Sequence, residues 1–159
     1  MTRPITPGDF DFIFKLYMHP DTNPWLMYEE MNKKTFEPIY NDMLRQEIIF
    51  IYSDEGTEIG MFKLVPLTYR SSHVAYLGGL AIDPLFAGKG YGFRMMREII
   101  DSAKDCGFLR IELSASVTNK RALALYTKAG FEKEGILRKY TYLKTANKFI
   151  DEVLMSYLI

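Results

Sequence analysis

Three glycines within five residues, Gly88-Lys89-Gly90-Tyr91-Gly92, stand where a strand pattern gives way to a helical one. Glycines in such a run let the backbone approach a ligand closely and aim several N–H groups into one space. Those groups lead into a helix N-terminus, whose unused donors and positive dipole end favour phosphate. Lys89 adds a cation, so the run reads as a phosphate or pyrophosphate cradle, with a flexible turn that holds no ligand as the alternative. Two familiar phosphate loops fail. A nucleotide P-loop needs Ser or Thr after the lysine and finds Gly90; the dinucleotide fingerprint started at Gly88 needs glycine at position 93 and finds Phe93.

A second constellation runs from Asn119 to Phe131, Asn-Lys-Arg-Ala-Leu-Ala-Leu-Tyr-Thr-Lys-Ala-Gly-Phe. Asn119 is a good helix cap, and Ala122, Leu125, Tyr126 and Ala129 share one helical face. Lys120 and Arg121 occupy the first turn, where the dipole disfavours cations by some tenths of a kcal/mol, ~0.3–1. An anion nearby would offset that cost; a solvated helix start explains it equally well.

These segments need elements to hold them. Pro7-Gly8-Asp9 ends a short extended start and introduces a helix from Phe10 to Tyr17. Residues 18–31, with His19-Pro20-Asp21 and Asn23-Pro24, read as a loop. A second helix is expected from Asn32 to Arg45, its start drawn towards Glu37 by Pro38. Strands follow at Glu47–Ser53, Ile59–Leu67 and His73–Asp83, the first two joined by a turn at 54–57. Gly78-Gly79 inside the third suggests a bulge or the close approach of another group. After the glycine run, Met96, Ile99, Ile100, Ala103 and Cys106 recur at helical spacing, and Gly107 stops the helix. A strand at Leu109–Val117, a helix at Asn119–Ala129 and two strands between Phe131 and Ile159 complete the order β-α-α-β-β-β-α-β-α-β-β. Hairpins mixed with crossover helices imply a mixed α+β (α/β) fold.

The 159 residues carry 20 Lys plus Arg against 20 Asp plus Glu. A net charge of zero lacks the broad basic field of a dedicated nucleic-acid binder. Cys106 is the single cysteine and His19 and His73 the only histidines, so neither a disulfide framework nor a metal site is expected. The opening Met1-Thr2-Arg3-Pro4 lacks the apolar core of a secretory leader, and the longest apolar runs are strand-length. One domain over residues 1–159, cytoplasmic and off the membrane, is the expectation.

Ile82-Asp83-Pro84, the 88–92 run and Asn119-x-x-Ala122-x-x-Leu125-Tyr126-x-x-x-Gly130-Phe131, in that order and spacing, resemble the GNAT N-acetyltransferase family. The resemblance implies a mostly antiparallel central sheet with helices on both faces and acetyl-coenzyme A as cosubstrate. It implies that Leu80, Ala81 and Ile82 lend backbone groups to the pantetheine arm. Gly88, Lys89, Gly90, Tyr91, Gly92 and Phe93 would hold the pyrophosphate, Asn119 would contact the cofactor, and Tyr126 would lie near the thioester sulfur. Ala87 departs from the Gln or Arg usual there, which should trim affinity more than abolish it, because the resemblance implies a pyrophosphate held mainly by backbone.

Tyr126 then becomes the catalytic candidate. The departing thiolate has a pKa near about 8.5 and a phenol titrates near about 10, so a neutral tyrosine can donate as the thiolate leaves. A core tyrosine is the alternative. For the acceptor, deprotonating an α-amine at pH 7 costs about 1.4 kcal/mol, against about 4.6 kcal/mol for a lysine side chain. No base stands out: Glu112, Asp83, Glu29 and Glu30 are water-relay candidates, and His73 reads as structural. Cys106 reads as core. Trp25, Met27 and Tyr28 offer an apolar acceptor wall or an ordinary packed loop.

Arg70–Ala75, Glu132–Gly135 and Asp151–Met155 look more loosely like bacterial amino-acid N-acetyltransferases. The expected activity is direct transfer from acetyl-coenzyme A to the primary amine of a small molecule. A protein N-terminal or lysine acetyltransferase, and a silent acyl-coenzyme A sensor, are the alternatives. Exposed sheet edges allow a homodimer.

Overall fold

Apolar alternation and helix punctuation along the chain produce four helices and a seven-stranded, mostly antiparallel sheet in the computed structural model, which describes residues 1–159. The strand order is β1-β2-β3-β4-β5-β7-β6, where β1 is Thr2–Pro4, β2 Ile49–Asp54, β3 Thr57–Pro66, β4 Val74–Ile82, β5 Arg110–Ser116, β6 Glu132–Leu143 and β7 Lys148–Leu158. The helices are α1 Phe10–Met18, α2 Lys33–Gln46, α3 Tyr91–Asp105 and α4 Lys120–Lys128. The expected element order and mixed α+β class are those observed.

The chain divides into two compact units. The first comprises Met1–Val65 with Gly78–Gly92. Its core gathers Ile13, Leu16 and Tyr17 of α1, Phe36, Tyr40 and Met43 of α2, and Ile49, Ile51, Met61 and Ala81 of the strands. Antiparallel register sets Ile51 opposite Met61 in that core, while their neighbours Phe50 and Phe62 pair opposite each other and stack 5.2 Å apart. Glu55 and Gly56 both take positive φ, the backbone form that suits a two-residue hairpin between twisted strands.

Pro38 does not delay α2 as its sequence suggested. The helix begins at Lys33, where Asn32 accepts the Thr35 N–H at 2.9 Å. Proline withholds only the bond owed to the Lys34 carbonyl, and both residues are exposed, so water can serve that carbonyl. Gly79 realises the expected irregularity in β4: its φ is +55°, and an added Cβ would sit 3.3 Å from the Tyr17 hydroxyl.

The second unit comprises Pro66–Leu77 and Phe93–Ile159. β4 and β5 run parallel, with Val74 opposite Arg110 and Tyr76 opposite Glu112. Parallel neighbours need a crossover, and the segment holding α3 supplies it. Met95, Met96, Ile99, Ile100 and Ala103 are its buried stripe. Cys106 departs from the expected core: it is exposed, because it falls past the last helical residue in the turn closed by the Gly107 N–H on Lys104 and the Phe108 N–H on Ala103. β5 alternates strictly: Ile111, Leu113 and Ala115 are buried, whereas Arg110, Glu112, Ser114 and Ser116 are only partly so. β7 pairs antiparallel with both β5 and β6, carrying this polar face across three strands.

Candidate active site

In the first unit, β4 runs out through Leu80, Ala81 and Ile82 into a turn anchored by Asp83. The buried Asp83 carboxylate accepts the Leu85 N–H at 3.1 Å and meets the Lys15 ammonium at 2.5 Å. Its own N–H bonds the Ile59 carbonyl at 2.8 Å. Pro84–Phe86 then make one tight turn, closed by the Ala87 N–H on Pro84. Beyond Ala87 the main chain changes character. Gly88 and Gly90 have φ of +77° and +81°, and a Cβ added to either would meet no atom within 4 Å. The N–H groups of Gly88, Lys89 and Gly90 donate to no main-chain carbonyl. The loop is therefore open towards the outside, with free donors leading into the fifteen-residue α3. These features suit an anionic pyrophosphate. Lys89 lies over the Phe86 ring at 5.5 Å, and Tyr91 meets the same ring edge-on at 5.7 Å.

In the second unit, Asn119 spends its side-chain oxygen on capping α4, accepting the Ala122 N–H at 3.1 Å. A ligand would find only its amide NH₂. Phe93 lies in α3 with the Lys128 ammonium 4.9 Å from its ring. Tyr126 is buried on α4, its ring 6.2 Å from Phe131. The Tyr126 hydroxyl makes no hydrogen bond within the chain, yet no side-chain N or O is both shut away and unbonded. The hydroxyl is thus the part that stays reachable. Burial pushes this phenol well above its ordinary range, and nearby Tyr76 pushes it in the same direction.

The carboxylates suggested as base partners are mostly committed elsewhere. Asp83 is tied to Lys15, and Glu112 lies 3.3 Å from the Arg110 guanidinium. Glu29 and Glu30 lie in the loop before α2. His73 is exposed just outside β4, so the sheet carries no histidine there. Of the three apolar loop residues, Tyr28 packs on Tyr17 at 5.2 Å, while Trp25 and Met27 are exposed.

A hydroxyl and carboxylate chain that the sequence reading missed crosses the polar face of the second unit. The Tyr76 hydroxyl lies 3.0 Å from Ser114 Oγ. Ser114 Oγ donates to Glu152 Oε2, and Thr141 Oγ1 donates to Glu152 Oε1 at 2.5 Å. The alternation of β5 betrays a polar face in sequence; the partner on β7 depends on register and is not legible. Beside it, Ser156 and Arg110 both bond Glu134 and hold its carboxyl below its ordinary range.

Residues 10–131 match the model of the acetyltransferase (GNAT) family. An L-amino acid N-acetyltransferase of Escherichia coli is 39% identical over 88 residues, covering 55% of this chain and 52% of that protein. A ribosomal protein bS18-alanine N-acetyltransferase of Salmonella typhimurium is 32% identical over 82 residues, covering 52% of this chain and 54% of that one. The matched stretch thus spans about half the length of these relatives. In fold, a spermidine N-acetyltransferase of Vibrio cholerae, solved with CoA and spermine, superposes with a TM-score of 0.84 at 22% identity, covering 99% of this chain and 94% of that one. With the family model matched over most of its length and the fold shared end to end, the chain belongs to the GNAT acetyltransferase family.

Proposed function

We propose that this chain transfers the acetyl group of acetyl-coenzyme A directly to the primary amine of a small molecule, with a free amino acid as the first acceptor to test. The observation that carries the reading is the Gly88–Gly90 loop, with its two left-handed glycines, open surroundings and unclaimed N–H groups before a long helix. Gly88 to Phe93 receive the pyrophosphate, the backbone of Leu80, Ala81 and Ile82 receives the pantetheine arm, and the Asn119 amide adds a contact. The amine nitrogen attacks the thioester carbonyl, the C–N bond forms and the C–S bond breaks. Tyr126 gives its proton to the leaving sulfur and recovers one from the newly bonded nitrogen, so no free tyrosinate builds up. The transfer so written needs no acyl-enzyme and gives Cys106, in the turn after α3, no step.

The amino-acid acceptor is favoured by the titration cost, about 1.4 kcal/mol for an α-amine against about 4.6 kcal/mol for a lysine. The similarity to a named L-amino acid acetyltransferase supports the same choice. A second reading, acetylation of a protein N-terminus, draws on the ribosomal-protein-alanine relative, and an α-amine is common to both. The test is coenzyme A release with amino acids, polyamines and short peptides. Turnover with amino acids supports the lead reading, and turnover with peptides alone replaces it by the second. Tight acetyl-coenzyme A binding with no turnover on any amine would leave a sensor.

A further inference from the structure

Glu152 lacks the cationic side-chain partner that most bonded carboxylates of this chain have; Asp151, which accepts the Lys139 main-chain N–H, shares that lack but meets no hydroxyl chain. Asp9 and Glu58 lie on Arg3, Asp83 on Lys15, Asp11 on Lys33, and Glu112 and Glu134 on Arg110. Glu152 is partly buried on β7 and is held only by the hydroxyls of Ser114 and Thr141. Its surroundings are Ser114 from β5, Thr141 from β6 and, beyond Ser114, Tyr76 from β4, with the Tyr140 phenol close enough to act on Tyr76. No Lys, Arg or His lies within ion-pair reach of it. This partly buried carboxylate stands at the inner end of a chain of hydroxyls along which a proton can pass.

The hydrogen bonds also have a direction. Ser114 has one hydroxyl proton and gives it to Glu152, so Tyr76 donates to Ser114. The chain therefore reads Tyr76 to Ser114 to Glu152, and its outer end, Tyr76, lies near enough to Tyr126 to perturb that phenol. Since Tyr126 is assigned to the leaving sulfur, the attacking nitrogen comes to the same neighbourhood.

We infer that Glu152 is the proton sink for the acceptor ammonium, reached through the Tyr76 and Ser114 hydroxyls. This rests on the transferase reading above and supplies the base it lacked. One ammonium proton passes to the Tyr76 oxygen as the Tyr76 proton moves to Ser114 Oγ and the Ser114 proton to Glu152 Oε2. The neutral amine then attacks, and Glu152 later returns its proton to water. Glu152 and Ser114 act through Tyr76 and are positioning residues; Tyr76 alone touches the amine.

The experiment is a kcat/KM profile from about pH 6 to about pH 10 for the wild type, Glu152→Gln, Ser114→Ala and Tyr76→Phe, with the best amine of the panel. The KM for acetyl-coenzyme A and the melting temperature are read alongside. At pH 7 Glu152→Gln should lower kcat/KM for the amine about 10²-fold with the KM for acetyl-coenzyme A unchanged. That deficit should shrink as pH rises and the amine arrives already neutral. Ser114→Ala should show a smaller deficit with the same pH dependence, which guards against misfolding of the glutamate variant. A deficit constant across pH, or none, overturns the relay while leaving the transferase standing. A wild type inert with every amine overturns both.

Discussion

Gly60 on β3 lies so close to Ala81 on β4 that a Cβ built on it would fall 2.4 Å from the Ala81 carbonyl oxygen. The same atom would crowd the Ile82 side chain at 2.9 Å. A carbonyl cannot swing aside as a flexible side chain can, so the strand assigned to the pantetheine arm is placed by the absence of a side chain on its neighbour. Gly60→Ala should act as an overpacking change of about 1–3 kcal/mol. For a chain of this size that corresponds to a fall in Tm of about 3–10 °C. Acetyl-coenzyme A should bind about tenfold more weakly as the Ala81 backbone shifts, about 1.4 kcal/mol. Gly135→Ala is the control, because its Cβ would meet nothing. Melting and calorimetric titration check both; equal behaviour of the two variants would dissociate Gly60 from the site.

Gly90→Ala should give the opposite balance. Its Cβ has open space, so the protein bears only the cost of a left-handed φ on a residue with a side chain, about 1–2 kcal/mol. In the proposed cradle, however, the methyl would stand where the pyrophosphate approaches the backbone. The affinity for acetyl-coenzyme A should fall by more than that modest loss of stability suggests, about 10²-fold. Unchanged affinity would mean that the loop is a turn and no cradle.

The acid side of the stability profile should report Asp9. Arg3 donates to both of its oxygens, at 2.7 and 2.8 Å, and Thr6 donates its N–H at 2.7 Å. The Arg3 hydrogen bonds, opposed by burial and aided by Thr6, lower its carboxyl to about 2 from 3.8. A folded pKa below the unfolded one stabilises the protein fully above about pH 4 and loses that contribution as pH falls towards 2. The contribution is about 2 kcal/mol. Urea titrations at pH 6, 4 and 2.5 should show that loss in the wild type and a flatter profile in Asp9→Asn. Parallel profiles would place the acid sensitivity elsewhere.

Element order and type were legible because the signals are local. Gly107 and Gly130 close helices, Asn119 caps one, and the Ile111, Leu113, Ala115 alternation fixes the faces of β5. Where a local signal competed with context, it misled: Pro38 pointed to a later start for α2, but a single lost bond to an exposed carbonyl does not outweigh the Asn32 cap and the buried Phe36 and Tyr40. Cys106 followed the apolar spacing of α3 yet fell one residue beyond its end. The glycine loop and Tyr126 were visible as residue types at fixed spacing. Glu152 was not, because its meaning comes from a hydroxyl 38 residues away on a neighbouring strand. Pairing register, which no local pattern encodes across such a separation, brings them together.

Tyr126→Phe tests the proposed acid with little structural disturbance. The hydroxyl has no hydrogen-bond partner in the chain, so its removal orphans none, and the ring keeps its packing against Phe131. The melting temperature and the KM for acetyl-coenzyme A should therefore hold while kcat falls about 10²–10⁴-fold. A fall in cofactor affinity with kcat preserved would make the tyrosine a positioning group. The pH dependence separates the roles further. An acid works while protonated, so its contribution is present below its folded pKa and lost above it. Burial raises the Tyr126 phenol above the ordinary tyrosine value near 10, which moves that loss beyond pH 10. Below pH 10 the wild-type kcat should have no descending alkaline limb, and the deficit of Tyr126→Phe should stay constant from pH 7 to 10. The Glu152→Gln deficit is expected to close over that same range, so two variants measured in one set of buffers distinguish the proton given to sulfur from the proton taken from nitrogen.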